Sequence, residues 1–290
     1  MRNDKDLKFL VLGATGMAGH TIAIYLKEQG YDVTALTRKP FPFCQNIISD
    51  ATDLKLIKKV IRNSKFSAVI NCIGVLNQNA ETHKHQAVFI NSYLPHYLSY
   101  ITEDLETKVI QMSTDCVFSG KTGNYTENSF KDGETFYDRS KALGELENNK
   151  DLTFRNSIIG PDMNKDGIGL FNWFMKQYGE ISGFTKAIWT GVSTLTLAKA
   201  MEKAIKVNLS GVYNLVNNVT ISKYELLKLF NRHLKNDQLK INISYDVVAN
   251  KSLANNRKDF DFFVPSYEEM IIEMKEWIND HKQLYPHYFK

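Results

Sequence analysis

The chain has 290 residues, 43% of them hydrophobic, which is enough to bury the core of a large α/β domain with a smaller lobe. Its 36 basic and 32 acidic residues give a net charge of +4 without a block of five like charges, so nothing in the charge pattern supports a role on nucleic acid or at a membrane surface. Three cysteines without metal or disulfide spacing fit a reducing compartment, and the apolar run at residues 9–12 is too short for a signal peptide or a membrane span. We therefore expect a cytoplasmic protein.

Short apolar segments and amphipathic segments alternate along the first 160 residues. We predict helices at 17–29, 53–62, 83–102 and 136–148, and strands at 9–12, 32–37, 46–49, 68–73, 108–112 and 152–158. Strands that alternate with helices in this way are typical of a parallel sheet covered on both faces. The sequence therefore predicts an α/β fold built on a Rossmann-type doubly wound parallel sheet.

The alternation ends after Gly160 and Pro161, where aromatic residues and short strands mix with further helices. Ser222 and Ser266 each precede a glutamate by three residues, which is the spacing of a capping box at a helix start. Helices are accordingly predicted at 196–207, 222–234 and 266–280. Residues 161–290 are expected to form mainly a smaller α+β substrate-binding lobe, and an exchange of the chain between the two lobes around residues 190–220 is left open.

A glycine-rich loop stands between the first predicted strand and the first predicted helix. Gly13 allows a tight turn, Gly16 lets phosphates approach the backbone, and Gly19 lets the helix pack closely on the sheet. The helix N-terminus offers free N–H groups and the positive end of its dipole to a dinucleotide pyrophosphate. Residues 1–160 are therefore predicted to form an NAD(P)-binding domain, with loop contacts from Gly13, Thr15, Gly16, Met17 and Gly19.

The end of the second predicted strand bears on the choice of cofactor. An acidic residue there would bind the ribose 2′-hydroxyl of NAD, but the chain has Arg38, and a guanidinium suits the 2′-phosphate of NADP. NADP is therefore favoured, with NAD left open. Asp53 is expected to cap its helix, whereas Asp50 is either structural or an acceptor for the adenine amino group. Further cofactor contacts are predicted at Asp50, Ala51, Cys72, Ile73 and Gly74.

Tyr137 and Lys141 lie four residues apart in a predicted helix, and hence on one face of it. A nearby ammonium would stabilise tyrosinate and lower the tyrosine pKa towards neutral, as suits a proton donor to a developing alkoxide. Residues 113–118 follow the fifth predicted strand, at the edge where open α/β sheets place their ligands. A hydroxyl in that segment could orient a substrate carbonyl towards the tyrosine.

Three segments follow one another in the chain: Gly13-x-x-Gly16-x-x-Gly19, Ser113-Thr114-Asp115-x-Val117-Phe118 and Tyr137-x-x-Ser140-Lys141-x-x-Gly144-Glu145. In this order and on these predicted elements, they resemble the extended short-chain dehydrogenase/reductase superfamily. Within it, the chain is most similar to the dTDP-4-dehydrorhamnose reductase family.

The resemblance implies a catalytic triad of Thr114, Tyr137 and Lys141. It also implies that NADPH reduces the 4-keto group of a nucleotide-activated 6-deoxy sugar, in the synthesis of precursors of cell-surface polysaccharide. Asn91 matches an asparagine that supports the active site in relatives, and we include it among the cofactor contacts together with Tyr137 and Lys141, whose ammonium is also free to hold the cofactor ribose. The chain departs from the family pattern at residues 73–76 and 131–136, beside the sugar site, which leaves the sugar and the nucleotide open.

Residues beside the expected cleft are candidates for substrate contact. Residues 155–157 follow the sixth predicted strand and are expected to point towards the cleft, while an aromatic face or a guanidinium can match a base or a pyrophosphate. On these grounds, substrate contacts are predicted at Ser113, Asp115, Val75, Asn156, Trp189 and Arg257. No metal site is predicted, because residues 162–173 begin like a calcium loop but lack the glutamate required at its twelfth position.

Two other functions remain open at this point. One is a sugar-nucleotide epimerase or dehydratase that retains NAD, although residues 115–116 do not supply an obvious additional acid–base pair. The other is a regulatory subunit that binds NADP without turnover, against which the complete triad argues. The sequence does not specify the oligomeric state, and a homodimer is left open.

Overall fold

The computed structural model describes residues 6–289. Its strands are β1 (Lys8–Leu12), β2 (Asp32–Thr37), β3 (Gln45–Ile48), β4 (Ala68–Asn71), β5 (Lys108–Ser113), β6 (Leu152–Arg155), β7 (Ile158–Ile159), β8 (Glu180–Phe184), β9 (Ala187–Trp189), β10 (Val192–Ser193), β11 (Gly211–Asn214), β12 (Ile221–Ser222), β13 (Lys240–Ser244) and β14 (Ala249–Asn250). Its α-helices are α1 (Met17–Glu28), α2 (Leu54–Asn63), α3 (Asn77–Thr82), α4 (Lys84–Ala87), α5 (Leu94–Ile101), α6 (Phe136–Leu143), α7 (Leu170–Met175), α8 (Thr194–Lys206), α9 (Lys223–Lys235) and α10 (Tyr267–Asp280). A π-helical turn (Val88–Tyr93) joins α4 to α5.

Seven strands form one parallel sheet in the order β3-β2-β1-β4-β5-β6-β11. The chain builds the sheet outwards from β1 to β3 and then returns to place β4 on the other side of β1. This is the doubly wound arrangement, and the predicted fold class is confirmed. Because all seven strands are parallel, the segments that follow β1, β4, β5 and β6 meet at one edge of the sheet.

The sheet separates two apolar cores, which explains why residues 9–12 of β1 are all hydrophobic. Phe9 and Val11 face the core that includes side chains of α1 and α8, whereas Leu10 and Leu12 face the core that includes α2 and α5. All four side chains are fully buried. Burial on both faces is the reason that parallel strands read as continuous apolar runs rather than alternating ones.

The seventh strand, β11, is not evident from the sequence pattern. It pairs in parallel with β6, and α8 before it packs against α1. Residues 194–214 therefore lie with the large sheet, although they follow residues of the smaller lobe. The segment after α10 also contacts the sheet domain, since His281 Nε2 lies 2.7 Å from the Glu28 carboxylate at the end of α1.

Three predicted elements differ from the observed ones. The helix expected at 83–102 contains the π turn, and the helix expected at 136–148 ends at Leu143. A Cβ on Gly144 would lie 1.8 Å from the Asn91 carbonyl oxygen, so the chain passes too close to the π turn for a larger residue. The strand expected at 152–158 is divided, because β6 ends at Arg155 and β7 pairs with β10 instead.

The smaller lobe carries short sheets and helices. β8 pairs with β13 in parallel, and β9 pairs with β12 and β14. Ser222 and Ser266 cap α9 and α10 through their hydroxyls, and at Ser266 the reciprocal bond from Glu269 completes a capping box. Across residues 6–289, no helix is long and apolar enough to cross a membrane.

Candidate active site

A cavity of about 670 Å³ lies at the carboxyl edge of the sheet, beside the ends of β1 to β4. Its size is that of a small-molecule or cofactor site. The lining brings together most of the residues predicted to contact the cofactor, and one predicted to contact the substrate: Gly13, Thr15, Gly16, Arg38, Asp50, Ala51, Cys72, Ile73, Gly74 and Val75.

The glycine loop at the bottom of this cavity has the shape required to hold a phosphate. Gly13 has a φ of +80°, and a Cβ on Gly19 would lie 2.2 Å from the Gly13 carbonyl oxygen, so both positions require glycine. Gly16 is the N-cap of α1 and supplies no side-chain cap, and the first turn of α1 contains no acidic residue. The N–H groups of that turn are therefore oriented for an anion, and the loop fits a pyrophosphate.

Two charged residues lie at the outer part of the cavity. Arg38 is exposed, and its guanidinium makes no hydrogen bond or ion pair with the residues that the structure describes. Asp50 Oδ1 accepts hydrogen bonds from the Thr52 N–H at 2.9 Å and the Thr52 hydroxyl at 2.8 Å, and these bonds lower the pKa of Asp50. Asp53 caps α2 by accepting from the Leu56 N–H at 3.0 Å, as predicted.

Asn91 lies behind the cavity rather than in its lining. It is fully buried in the π turn, where its Oδ1 accepts from the Val75 N–H and its Nδ2 donates to the Val75 carbonyl, both at 2.8 Å, and to the Ser140 hydroxyl at 3.0 Å. These bonds occupy the amide, so the predicted cofactor contact is corrected to a positioning role. Met17 and Gly19 also lie outside the lining, in the first turn of α1.

The first turn of α6 places Tyr137 and is fixed by three side chains. Thr135 accepts from the Asp138 N–H at 3.1 Å, and Asp138 accepts from the Thr135 N–H at 3.2 Å, which completes a capping box. The carboxylate of Glu81, in α3, accepts from the N–H groups of Phe136 at 2.7 Å and Tyr137 at 3.2 Å. Negative charge at this end of the helix also matches its dipole.

The predicted triad lies in neighbouring elements at the carboxyl edge. Thr114 directly follows β5, and Tyr137 and Lys141 lie one turn apart in α6; none of the three side chains is more than 9% exposed. Lys141 Nζ donates to the Met112 carbonyl at 2.7 Å. The Thr114 hydroxyl donates to Asp115 Oδ1 at 3.1 Å and accepts from the Cys116 N–H at 3.1 Å.

The expected lowering of the Tyr137 pKa is wrong. Burial raises the pKa of Tyr137, and the Cys116 thiol raises it further, against a hydrogen bond with Thr114 that lowers it. The Lys141 ammonium is directed at the Met112 carbonyl, and burial lowers its own pKa to about 8. Tyr137 is consequently held as a neutral phenol, the form that donates a proton.

Ser113 and Arg155 are predicted to face the cleft, but their side chains bind a buried carboxylate instead. The Ser113 hydroxyl donates to Glu145 at 2.6 Å, and Arg155 Nε and Nη2 donate to the two oxygens of the same carboxylate at 2.9 and 2.7 Å. All three side chains are buried. A bidentate ion pair of this kind holds β5, β6 and the end of α6 together, so Ser113 is corrected from a substrate contact to a structural residue.

Asn156 and Trp189 are buried side chains whose polar atoms lack partners within the described residues. Ser113 pairs with Arg155 in the β5–β6 register, so Thr114 and Asn156 follow at adjacent strand ends. Asn156 is 3% exposed, and neither atom of its amide has a hydrogen-bond partner within residues 6–289. The same holds for Nε1 of Trp189, also 3% exposed. Buried polar atoms are nearly always paired, so these atoms are candidates for binding a ligand.

Arg257 lies away from the cleft, which corrects its predicted role as a substrate contact. Its Nη1 donates to the carbonyls of Ser210 at 2.7 Å and Val212 at 2.8 Å, at the amino end of β11. Its guanidinium also forms an ion pair with Asp259. These bonds hold the guanidinium at the opposite edge of the sheet from the glycine loop.

Sequence reasoning missed several residues of the site. Glu81 lies in a short helix without a periodic pattern, and its role depends on the fold alone. Lys223 stands in the first turn of α9, where a cation opposes the helix dipole, and this position is a signal that could have been used. The other missed residues line the cavity from the ends of β2 and β3, from α4 and from the π turn: Leu36, Thr37, Ser49, Thr52, His85, Gln86, Phe89 and Ile90.

The chain matches known proteins over most of its length. A model of the family described as RmlD substrate binding domain matches residues 7–252. The chain is 27% identical over 224 residues to the spore coat polysaccharide biosynthesis protein SpsK of Bacillus subtilis, an alignment that covers 75% of this chain and 76% of SpsK. It is 29% identical over 140 residues to a dTDP-4-dehydrorhamnose reductase of Streptomyces griseus, across 48% of this chain and 43% of that enzyme.

A solved structure extends this agreement to the fold. The dTDP-4-dehydrorhamnose reductase of Bacillus anthracis, in complex with NADP, superposes with a TM-score of 0.79 at 21% identity, covering 94% of this chain and 99% of that chain. The resemblance inferred from the three sequence segments is confirmed, and the chain belongs to the RmlD substrate binding domain family.

Proposed function

We propose that the protein is an NADPH-dependent reductase of the 4-keto group of a nucleotide-activated 6-deoxy sugar. The observation that carries the proposal is the position of Thr114, Tyr137 and Lys141, buried together at the edge of the sheet that also holds the glycine loop. Relatives named as dTDP-4-dehydrorhamnose reductase support the substrate class, and the name of SpsK supports a role in polysaccharide biosynthesis.

The residues around the cavity fit NADP. Gly13, Gly16 and the first turn of α1 would hold the pyrophosphate through backbone N–H groups, and the unpaired guanidinium of Arg38 would take the 2′-phosphate. The complex of the Bacillus anthracis relative with NADP supports the same choice. When bound, the reduced nicotinamide supplies the hydride.

The chain's own residues would complete the reduction by supplying and placing a proton. Tyr137 carries that proton on its phenol oxygen and gives it to the substrate oxygen as the carbon accepts hydride, so that a ketone becomes a secondary alcohol. The Thr114 hydroxyl orients the same oxygen. Lys141, as a buried cation one turn from Tyr137, stabilises the tyrosinate that remains.

The two lobes would then divide the work. The sheet domain holds the cofactor at the ends of β1 to β4, while Asn156 and Trp189 lie on the side where β6 leads into the smaller lobe. The nucleotide sugar would enter from that side. Asp115 and Val75 are the other two predicted substrate contacts. Val75 lines the cavity, and Asp115 accepts a hydrogen bond from the Thr114 hydroxyl.

The experiment that tests the proposal is a panel of dTDP-, UDP- and GDP-linked 4-keto-6-deoxy sugars, with NADPH oxidation followed at 1:1 stoichiometry to product. Reduction of at least one sugar is expected, and Tyr137→Phe should lower kcat by about 10²–10⁴-fold while NADPH binding is retained. A Tyr137→Phe variant that oxidises NADPH at the wild-type rate with the sugar would refute the mechanism. Arg38→Ala should raise the KM for NADPH and leave that for NADH unchanged.

A further inference from the structure

Lys223 lies in a position that the proposed chemistry does not explain. It is the first residue of α9, after the cap Ser222, and contributes a cation to the positive end of a 13-residue helix. Its ammonium lies 5.1 Å from the centre of the Trp189 ring and acts electrostatically on Asp115, the residue after Thr114. A lysine at this end of a helix opposes the dipole, which makes it an unfavourable choice for stability alone.

Lys223 has no anion in contact within the described part of the chain. No carboxylate oxygen there lies within 4.0 Å of its ammonium, which is the limit for an ion pair. Burial lowers the pKa of Lys223, while the more distant Asp115 and the Cys116 thiol oppose that shift. Lys251 is a second cation that acts on Asp115. Two ammonium groups therefore share one carboxylate, which also accepts a hydrogen bond from the Thr114 hydroxyl.

Two buried hydrogen-bond donors accompany this excess of positive charge. The indole N–H of Trp189 and the amide of Asn156 are unpartnered in the described chain, and both side chains are 3% exposed. Leaving such groups unpaired is unfavourable, because they lose their bonds to water on burial. An oxygen-rich anion placed between them and Lys223 would satisfy the donors and neutralise the ammonium at once.

We propose that Lys223 binds a phosphate oxygen of the nucleoside diphosphate in the substrate, with Trp189 and Asn156 donating to the same group. The inference rests on the proposed function for the identity of the ligand. A diphosphate fits better than a sugar hydroxyl, because its two negative charges offset the ammonium groups of Lys223 and Lys251, both of which act on the single carboxylate of Asp115. A neutral sugar would leave the Lys223 charge without a counter-ion.

The test measures the binding of dTDP and UDP, and of thymidine and uridine, by calorimetry to protein saturated with NADP. Lys223→Met should weaken the binding of the two diphosphates at least tenfold, while thymidine and uridine bind as to the wild type. Lys223→Arg should restore most of the affinity, because it returns the charge. The control is Lys228→Met, five residues further along α9, whose ammonium lies 3.6 Å from Glu225 and is exposed; it should bind like the wild type.

Diphosphate affinity that is unchanged in Lys223→Met would overturn the inference, and so would an equal loss in Lys228→Met. The affinity for NADPH must stay at the wild-type value in each variant, which shows that the fold is intact. If Lys223→Met does not fold, two measurements replace it: diphosphate binding to Lys223→Gln, and the salt dependence of diphosphate binding to the wild type. Diphosphate binding to the wild type that does not change with salt concentration then refutes the role of Lys223. A failure of the proposed function is distinguishable, since it would appear as no reduction of any sugar while the diphosphates still bind through Lys223.

Discussion

Lys141 carries its charge in a place where burial opposes it. Its side chain is 5% exposed, and its one hydrogen bond within residues 6–289 goes to the Met112 carbonyl. Burial is the largest influence on its pKa, which falls from 10.5 to about 8, and Glu145 counteracts part of that fall. In the proposed mechanism this charge is the cation that lies one turn from Tyr137.

The lowered pKa of Lys141 predicts how the stability of the fold depends on pH. Between pH 8 and 10.5 the unfolded chain keeps the proton that the folded chain loses at Lys141, so stability rises with pH across that window. The fall in the Lys141 pKa from 10.5 to about 8 corresponds to about 3 kcal/mol in the free energy of unfolding. Urea unfolding at pH 7.5 and pH 10.5 should show a rise that is smaller by about 3 kcal/mol in Lys141→Met than in the wild type.

Lys108 provides the control for this comparison. Burial lowers its pKa to about 8 as well, but it lies at the start of β5, where its ammonium bonds to the Leu209 carbonyl away from the cleft. Lys108→Met should therefore reduce the alkaline rise in stability without loss of catalysis. An unchanged pH dependence in Lys141→Met would show that Lys141 is not buried as a cation.

The buried ion pair between Glu145 and Arg155 gives a second prediction for single residues. Arg155→Met leaves the carboxylate with the Ser113 hydroxyl and with Lys131 at 3.3 Å, and removes its bidentate partner. We expect a loss of about 3–5 kcal/mol in the free energy of unfolding, measured by urea denaturation. The double variant Arg155→Met/Glu145→Gln should recover much of that loss, and a double variant as unstable as Arg155→Met would contradict this account.

At the scale of elements, the cap of α6 links stability to catalysis. Thr135→Ala removes the capping hydroxyl and should cost about 1 kcal/mol of stability. Because Tyr137 lies in the first turn of this helix, we also expect a lower kcat, measured by NADPH oxidation. Ser266→Ala removes the matching cap of α10, a helix that carries no residue of the triad, and should lower stability by a similar amount with kcat unchanged. Equal kcat values in the two variants would disprove the link.

The elements that the sequence predicts are those whose pattern is local. The inner strands β1, β4 and β5 are recognisable because burial on both faces makes them largely apolar, and the capped helices α8, α9 and α10 are predicted to within two residues at each end. The π turn and the early end of α6 are not recognisable. Both arise where the Asn91 carbonyl meets Gly144, a contact between segments more than fifty residues apart in the chain.

The same distinction applies to the site. The glycine loop, Thr114, Tyr137 and Lys141 are predicted because spacing and strand ends place them. Ser113 and Arg257 are misplaced, because the chemistry of a side chain does not reveal which partner it meets. The Ser113 hydroxyl donates to Glu145, which lies 32 residues later in the chain. The Arg257 guanidinium donates to carbonyls at the start of β11, a strand that the sequence pattern does not reveal.

At the scale of the whole molecule, the C-terminal segment is connected to the glycine loop. His20, in α1, lies 2.9 Å from the Gly16 carbonyl through Nδ1 and 2.7 Å from the Tyr285 hydroxyl through Nε2. The Trp277 indole N–H donates to the same hydroxyl at 2.9 Å. Because a carbonyl only accepts, His20 carries its proton on Nδ1, and the Tyr285 hydroxyl must donate to Nε2. Residues at the end of the chain thus fix the turn that would face the pyrophosphate.

Tyr285→Phe tests this connection. It leaves the Trp277 N–H without its partner and His20 Nε2 with the Thr21 hydroxyl at 3.5 Å, in a buried place, so we expect a loss of about 1–3 kcal/mol in the free energy of unfolding and a higher Kd for NADPH. Urea denaturation and fluorescence titration with NADPH measure the two effects. Tyr100→Phe removes a hydroxyl from a side chain that is 69% exposed, and should change neither quantity. If Tyr285→Phe lowers stability but binds NADPH as the wild type does, the C-terminal segment supports the fold without fixing the glycine loop.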